Sequence, residues 1–366
     1  VIYGGRSVEH EVSLVSARAI MQALDPERYE VVPIGISRSG RWALGGMHCA
    51  LPGDPSVRGL IEVARKTLRT GARRRSRAAQ AASGLRLDVV FPVVHGTGGE
   101  DGSLQGLLTL AGIPFVGAGV LGSAVGMDKT ITKALFRDAG LPIVEYRVVR
   151  ARDLEADSSG IAASLEQGIG YPSFVKPANG GSSVGVGKAV DRATLRTALQ
   201  VAARYDRKIL VERAVDAREI ECSVLGNERP EASVPGEIIP VNEFYDYRAK
   251  YIDTGSRLEI PAAITDEQRE RVRRLAVRAF EVLDLAGMAR VDFFLCRASG
   301  RIFVNEVNTI PGFTPISMYA KLWEASGLPF AELVDRLIAL ALEAHAERAA
   351  LITTYDGGRN GGSQRS

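Results

Sequence analysis

Between Arg290 and Ser317 the chain reads R-V-D-F-F-L-C-R-A-S-G-R-I-F-V-N-E-V-N-T-I-P-G-F-T-P-I-S. Strand-forming segments at 291–295 and 301–307 flank Ala298, Ser299 and Gly300, so the stretch reads as a hairpin. Side chains alternate faces along a strand, which puts Arg290 and Asp292 on one face, and likewise Glu306 and Asn308. A register centred on Ser299 sets Asp292 opposite Glu306 and Arg290 opposite Asn308; a slip or bulge would break that pairing. One face then carries two carboxylates, a carboxamide and a guanidinium, with Phe and Val on the other. Such oxygens suit Mg²⁺, a hard cation that takes few protein ligands and fills its shell with water and phosphate. A salt-bridged hairpin on a wet sheet face has the same composition. The rigid polar loop Asn-Thr-Ile-Pro-Gly-Phe-Thr that follows favours the metal–phosphate site.

With 366 residues the chain has room for two or three domains with real cores. Its 46% hydrophobic and 24% charged fractions are those of an ordinary globular protein. Net charge is only +3, and much of the excess sits in 58–77, with seven Arg and one Lys against Glu62. Such a run reads as a solvated helix face and loop, so no nucleic-acid partner is expected. Cys49, Cys222 and Cys296 have neither metal-ligand spacing nor disulfide parity, which suits a reducing compartment. No apolar run reaches membrane-spanning length and no basic-then-apolar leader is evident. The expectation is a cytoplasmic protein without a membrane partner.

Val1-Ile2-Tyr3-Gly4-Gly5 reads as the tail of a strand entering a glycine turn, with residues before Val1 expected to complete it. A helix follows at 13–24, then a strand at 29–36. Residues 42–83 give little signal, and 88–94 is a near-continuous apolar strand of the kind found in a parallel sheet covered on both faces. Alternating strands and helices over 1–122 argue for an N-terminal open α/β, Rossmann-like domain. The pattern changes near Ser123. A helix at 127–139 stops at Gly140 with Pro142 beyond, and short strands at 143–149, 173–176, 184–189 and 208–212 surround a helix at 193–205. These make a small α+β region, 123–213. A second one, 214–352, holds a strand at 218–225, a loop at 243–252, a helix at 266–283, the hairpin and a last helix at 330–348. The tail 353–366, rich in Gly, Arg and Ser, has nothing to bury and reads as disordered.

Gly180-Gly181-Ser182-Ser183-Val184-Gly185 follows Phe174-Val175-Lys176-Pro177. Small residues let backbone N–H groups close around phosphate oxygens, and Lys176 adds a fixed charge. A Walker A loop is excluded, because Val186 stands where Lys-Ser/Thr is required. Gly117-Ala118-Gly119-Val120-Leu121-Gly122 fits the dinucleotide fingerprint but lacks the acidic strand end about 20 residues on, so it is read as a false positive. His95 and the following G-T-G-G-E-D-G sit at the C-terminal end of a strand, where open α/β sheets place ligands. His95 is read as a contact to a carboxylate or phosphate, Glu100 and Asp101 as helix caps. Glu9, on a loop before the first helix, could hold a substrate ammonium or simply sit at the helix start. Lys129 and Lys250 are candidate phosphate ligands. The loop F-Y-D-Y-R-A-K-Y (244–251), with its aromatics, reads as a lid, and Glu212 and Glu219 flank the junction of the two α+β regions.

No nucleophile–His–acid set is evident. A glycine-rich loop, several lysines, an acidic hairpin and a lid shared between two α+β regions resemble the ATP-grasp enzymes. Within them, E-H-E-V-S-L (9–14), H-G-T-G-G-E-D-G-S-L-Q-G (95–106), M-D-K (127–129), V-K-P-A-N-G-G-S-S-V-G (175–185), F-Y-D-Y-R-A-K-Y (244–251), A-R-V-D (289–292) and N-E-V-N-T-I-P-G-F-T (305–314) are similar to the signature blocks of the D-alanine–D-alanine ligase family. They run in order over nearly the whole chain. The resemblance implies that ATP phosphorylates one D-alanine and that the amine of a second attacks the acyl phosphate. It implies ATP contacts from Lys129, Lys176, Ser182, Ser183, Glu212, Glu219, Phe244, Lys250 and Asn305, and two Mg²⁺ (or Mn²⁺) on Asp292, Glu306 and Asn308. Glu9 would bind the first D-alanine's ammonium and form a chain with Ser182 and Tyr251, and His95 would lie near that substrate. Arg290 and the Gly312 N–H would stabilise the oxyanion, and Ser317 would hold the second D-alanine's carboxylate. A homodimer is expected. Tyr251, where D-lactate ligases have phenylalanine, favours an amine as second substrate. D-alanine–D-lactate ligation, another ATP-grasp carboxylate–amine ligation and a non-catalytic nucleotide-binding regulator are the competing readings; the last has no need of Arg290.

Overall fold

The structure is a computed structural model that describes residues 1–44, 87–239 and 257–352. The basic run 58–77, Cys49, the loop 243–252 with Phe244, Lys250 and Tyr251, and the tail 353–366 lie outside the described residues.

The first sheet contains β1 (Ile2–Gly4), β2 (Ile34–Ile36), β3 (Trp42–Leu44) and β4 (Pro92–Val93) in the order β3-β2-β1-β4. β1 pairs in parallel with β2 and β4, and β3 closes the edge antiparallel to β2. The expected strands are shorter in fact: the β2 ladder begins at Ile34, and before β4 only Val90 bridges, to Phe115. Helix α1 (His10–Ala23) is pinned over the sheet by Ser13, which accepts from Gly4 N at 2.7 Å and donates to the Val93 carbonyl. Gly4 has φ 92°, and a Cβ there would lie 2.1 Å from the Ile36 carbonyl oxygen, so no other residue turns the chain here. α2 (Ser103–Leu110) follows β4.

The helix expected at 127–139 starts two residues later, as α4 (Lys129–Asp138), and a helix not expected from the sequence, α3 (Val120–Met127), precedes it. The two meet at Asp128, whose extended backbone lets its carboxylate cap Thr130 N at 3.1 Å and Ile131 N at 3.3 Å. Gly122 in α3 packs against the 283–285 turn, where a Cβ would stand 2.8 Å from the Asp284 carbonyl oxygen. That packing accounts for a glycine of the G-x-G-x-x-G run.

The second sheet contains β5 (Tyr146–Arg150), β6 (Ser173–Pro177), β7 (Gly187–Ala189) and β8 (Lys208–Arg213), all antiparallel in the order β5-β8-β6-β7. Two helices here gave no clear sequence signal, α5 (Ala151–Ala156) and α6 (Ser158–Gly168). They are short, and α6 buries only Ala162 and Leu165. α7 (Arg192–Ala203) covers the same face, opened by an Asp191/Thr194 capping box.

The third sheet holds β9 (Ala217–Gly226), β10 (Glu231–Ala232), β11 (Gly236–Ile239), β12 (Arg257–Glu259), β13 (Gly287–Cys296) and β14 (Ile302–Asn308). Its order is β12-β11-β9-β13-β14, with β10 on β9. Period-two alternation sorts its central strands. Ile220, Cys222 and Val224 of β9 join Ala289, Val291, Phe293 and Leu295 of β13 in one core under α8 (Asp266–Val282). The opposite face keeps Glu219, Glu221, Arg290 and Asp292. A second core joins α1 and Phe91 to Phe313, Tyr319 and Trp323, covered by α9 (Met318–Ala325) and α10 (Phe330–Ala349). Phe313 is fully buried there, its ring 5.6 Å from Phe91 and 5.4 Å from Phe330. Among the described residues no helix is long and apolar enough to cross a membrane.

Candidate active site

The polar face of the third sheet and the loops of the other two line one cleft of about 1180 Å³. The described residues expected to contact substrate, ATP or metal all border it: Glu9, His95, Lys129, Lys176, Ser182, Ser183, Glu212, Glu219, Arg290, Asp292, Asn305, Glu306, Asn308, Gly312 and Ser317.

The hairpin pairs Arg290 with Asn308 and Asp292 with Glu306, as a Ser299-centred register requires, but by a different path. Near the turn Leu295 pairs with Ile302, Phe294 with Phe303 and Phe293 with Val304, one residue out of that register. A bulge at Asn305 restores it. Asn305 and Glu306 are only partly buried while Val304 and Val307 on either side are buried, so the bulge turns two consecutive polar residues away from the core.

Arg290 donates from Nε and Nη2 to the two Asp292 oxygens, both at 2.7 Å, and meets Glu221 at 3.0 Å. Desolvation opposes its charge, yet Asp292 and Glu221 hold its pKa well above the ordinary arginine value. Asn308 Nδ2 donates to Asp292 at 3.0 Å. Across the cleft, Lys129 lies 3.6 Å from Glu306 and donates to the Gly180 carbonyl at 2.7 Å. The Asp128 cap sets Lys129 there, and Lys208 anchors Asp128 in turn.

Glu212 is almost fully buried between two lysines, Lys133 at 2.6 Å and Lys176 at 2.7 Å. Burial pushes its pKa up, but the two ammonium groups outweigh it and hold the carboxyl down at about 2. Lys176 is raised for the converse reason: burial lowers it, and Glu212 and Glu306 more than compensate. Its ammonium also stands 6.0 Å from the centre of the Phe294 ring.

The glycine-rich loop joins β6 to β7. Asp206 fixes its start by accepting from Asn179 N at 2.7 Å and Nδ2 at 2.9 Å. Ser182 and Ser183 both have left-handed backbones, φ 53° and 58°, a strained conformation for serine that is common where a loop clamps a ligand. The Ser182 hydroxyl donates to the buried Glu9 carboxylate. Two glycines crowd that carboxylate: a Cβ on Gly181 would lie 3.0 Å, and one on Gly96 3.2 Å, from Glu9 Oε2.

His95 is buried, and its Nδ1 donates to the Ile310 carbonyl at 2.9 Å. Desolvation lowers its pKa despite the nearby Glu9. Nε2 is then an acceptor, with no partner among the described residues. Asp101 caps as expected, accepting from Ser103 N at 3.0 Å and Gly98 N at 2.8 Å. Glu100 does not cap: it accepts from Gly96 N at 2.6 Å and Ile310 N at 3.2 Å, bridging two loops of the cleft wall. Desolvation and the charge of Glu9 raise its pKa to about 8. Beyond Ile310, Ser317 Oγ lies 2.8 Å from Thr314 Oγ1, and a Cβ on Gly312 would stand 3.4 Å from it.

Lys133 and Glu221 went unnoticed in the sequence. Each stands beside a singled-out motif without belonging to its pattern, and only pairing across strands or helices brings it in.

Among the described residues no three His, Cys, Asp or Glu side chains form a metal-holding group by themselves. Two carboxylates and a carboxamide on one strand pair are too few to enclose a cation. They fit Mg²⁺ whose remaining positions are filled by phosphate and water.

Two sheets facing one cleft, one bearing a glycine-rich loop and lysine and the other an acidic hairpin, define an ATP-grasp enzyme. The D-ala D-ala ligase N-terminus family matches residues 1–118, and the D-ala D-ala ligase C-terminus family matches 135–339. The chain is 51% identical to the D-alanine–D-alanine ligase of Thermoanaerobacter sp. (strain X514), over 95% of this chain and 97% of that one. It is 46% identical to that of Geobacillus thermodenitrificans, over 97% and 98%. Among solved structures it resembles the D-alanine-D-alanine ligase from Coxiella burnetii, with a TM-score of 0.77 at 38% identity, covering 95% and 94%. It also resembles the VanG D-Ala:D-Ser ligase from Enterococcus faecalis, at 0.76 and 34%, covering 93% and 98%. The chain belongs to the D-alanine–D-alanine ligase family.

Proposed function

We propose that this protein uses ATP to join two D-alanine molecules into D-alanyl-D-alanine, a precursor of peptidoglycan. The γ-phosphoryl group passes to the carboxylate of the first D-alanine, leaving ADP. The amine of the second attacks the acyl carbon, and the tetrahedral intermediate expels phosphate. One observation carries the reading: Arg290 lies against Asp292 on the same hairpin face as Glu306, with Lys129 facing Glu306 across the cleft.

Lys129, Lys176, Ser182, Ser183 and Asn305 contact ATP phosphates, with Glu212 and Glu219 toward the adenine and ribose; Phe244 and Lys250 complete that set. Glu9 takes the first substrate's ammonium, and His95 lies near that substrate. Arg290 and the Gly312 N–H stabilise the oxyanion, donors placed where charge develops. Ser317 holds the second carboxylate. Asp292, Glu306 and Asn308 would hold two Mg²⁺ (or Mn²⁺), which when bound neutralise the phosphates and the leaving group. Tyr251 would link to Ser182 and Glu9 and hold the 243–252 loop over the substrates, keeping water from the acyl phosphate.

The three separate sheets support a division into 1–122, 123–213 and 214–352. A homodimer belongs to the same proposal, and the exposed Leu110 and Leu121 on α2 and α3 are suited to an interface. Dependence on ATP and the widely spaced thiols support a cytoplasmic location. The test is release of ADP and phosphate with Mg-ATP and D-alanine, beside L-alanine and D-lactate, with the product identified by mass. Dipeptide from D-alanine alone is expected; turnover only when D-lactate is added would overturn the substrate assignment.

A further inference from the structure

The 309–314 loop is held from outside its own sheet at both sides of Gly312. Ile310 is gripped twice: its N–H donates to Glu100 at 3.2 Å and its carbonyl accepts from His95 Nδ1 at 2.9 Å. Glu100 is itself braced by Gly96 N at 2.6 Å. On the other side, Phe313 N donates to Ser16 Oγ at 3.2 Å, and the Phe313 ring is locked among Phe91, Tyr319 and Phe330. Ser16 lies fully buried on α1, and Glu100 lies in the turn after β4. Pro311, between the two holds, has a fixed φ and no N–H of its own. The segment carrying Gly312 thus takes its position from the first sheet and its helix, although the chain reaches it from the third.

We propose that Glu100 and Ser16 are positioning residues that fix the Gly312 N–H for the reaction; this rests on the reading of that N–H as an oxyanion donor. Neither side chain needs to touch substrate. Their bonds set where one donor stands relative to the acyl carbon, and a misplacement of about 1 Å at such a site costs roughly a hundredfold in rate. The same two anchors fix the first-substrate side, Glu9 and His95, relative to the oxyanion side. The amino and acyl ends of one D-alanine are then held by a single braced unit.

The test uses the full-length protein and the variants Glu100→Ala, Glu100→Gln and Ser16→Ala, each shown by thermal melt to be folded. For Glu100→Ala and Ser16→Ala, kcat is expected to fall by about ten- to a hundredfold, and KM for ATP to stay within about twofold, because the nucleotide side chains sit on other elements. Glu100→Gln keeps one acceptor and should fall between Glu100→Ala and wild type. A phosphinate dipeptide analogue, tetrahedral at phosphorus, should bind more weakly by the factor lost in kcat/KM, while ADP affinity is unchanged. A purely structural role would lower the melting temperature and leave those ratios alone. Should Glu100→Ala not fold, Ser16→Ala and Glu100→Gln carry the test. Folded variants with wild-type kcat, or with losses in kcat and ADP affinity alike, would overturn the inference while leaving the functional reading intact. No dipeptide from the wild type would overturn both.

Discussion

Both oxygens of Asp292 accept from Arg290, at 2.7 Å each, so a residue proposed to hold a cation already lies paired with a fixed one. Planar guanidinium and carboxylate match in this fork, which a lysine could not reproduce. Arg290→Lys is therefore expected to behave much like Arg290→Ala. Each should lower kcat by about a hundredfold or more, the scale of losing an oxyanion donor. Breaking the buried pair should also cost on the order of 3–5 kcal/mol of stability. Steady-state ADP release and urea melts measure the two effects separately, and a Lys variant near wild-type rate would refute the role of the fork.

Glu212 between Lys133 and Lys176 makes a prediction in acid. Its folded pKa is depressed to about 2, against 4.5 for the free group. The stabilisation is therefore fully present above pH 4.5 and is lost as pH falls through the folded value. Glu212→Gln leaves two buried ammonium groups facing a neutral amide, so it should be less stable at pH 7 and lose less on acidification. Denaturant midpoints at pH 7, 5 and 3.5 decide this; parallel curves for the two proteins would refute it.

Glu100 has the opposite sign. Its folded pKa is raised to about 8, so between 4.5 and 8 the native state binds the extra proton and stability falls as pH rises. In Glu100→Gln the group no longer titrates. The melting temperature of the variant should therefore decline less than that of the wild type between pH 5.5 and 8.5. An equal decline in both would assign the slope to other groups.

Alternation made the hairpin and its partner β9 legible, because a sheet with one wet face repeats every two residues. The bulge at Asn305 was not, since N-E-V-N reads equally well without it; only the burial of both Val304 and Val307 shows the change of phase. Helix α3 was missed because Gly119, Gly122 and Gly126 weaken its helical signal, and α4 was started two residues early although Asp128 followed by Lys-Thr is an N-cap signal. Glu100 was misjudged for a different reason. An acidic residue ahead of a helix usually caps it, and the Ile310 amide that claims it lies 210 residues away. Motif residues were legible in the sequence; the groups that hold them were tertiary.

Ser182 gives the sharpest test of the glycine-rich loop, because two opposing effects meet at one residue. Its left-handed backbone, φ 53°, is strained for any residue with a Cβ, and glycine would remove that strain. Its hydroxyl, however, donates to the buried Glu9 carboxylate, and both glycine and alanine would leave that oxygen with one donor fewer. Ser182→Gly should therefore be no less stable than Ser182→Ala, since glycine meets no steric penalty here. Both should raise KM for D-alanine and lower kcat, by about tenfold or more on the scale of a charge-assisted bond of 1.5–3 kcal/mol. If the loop serves only the nucleotide, the change would appear in KM for ATP alone. Separate titrations of ATP and D-alanine on the two variants distinguish these outcomes, with thermal melts ranking the strain.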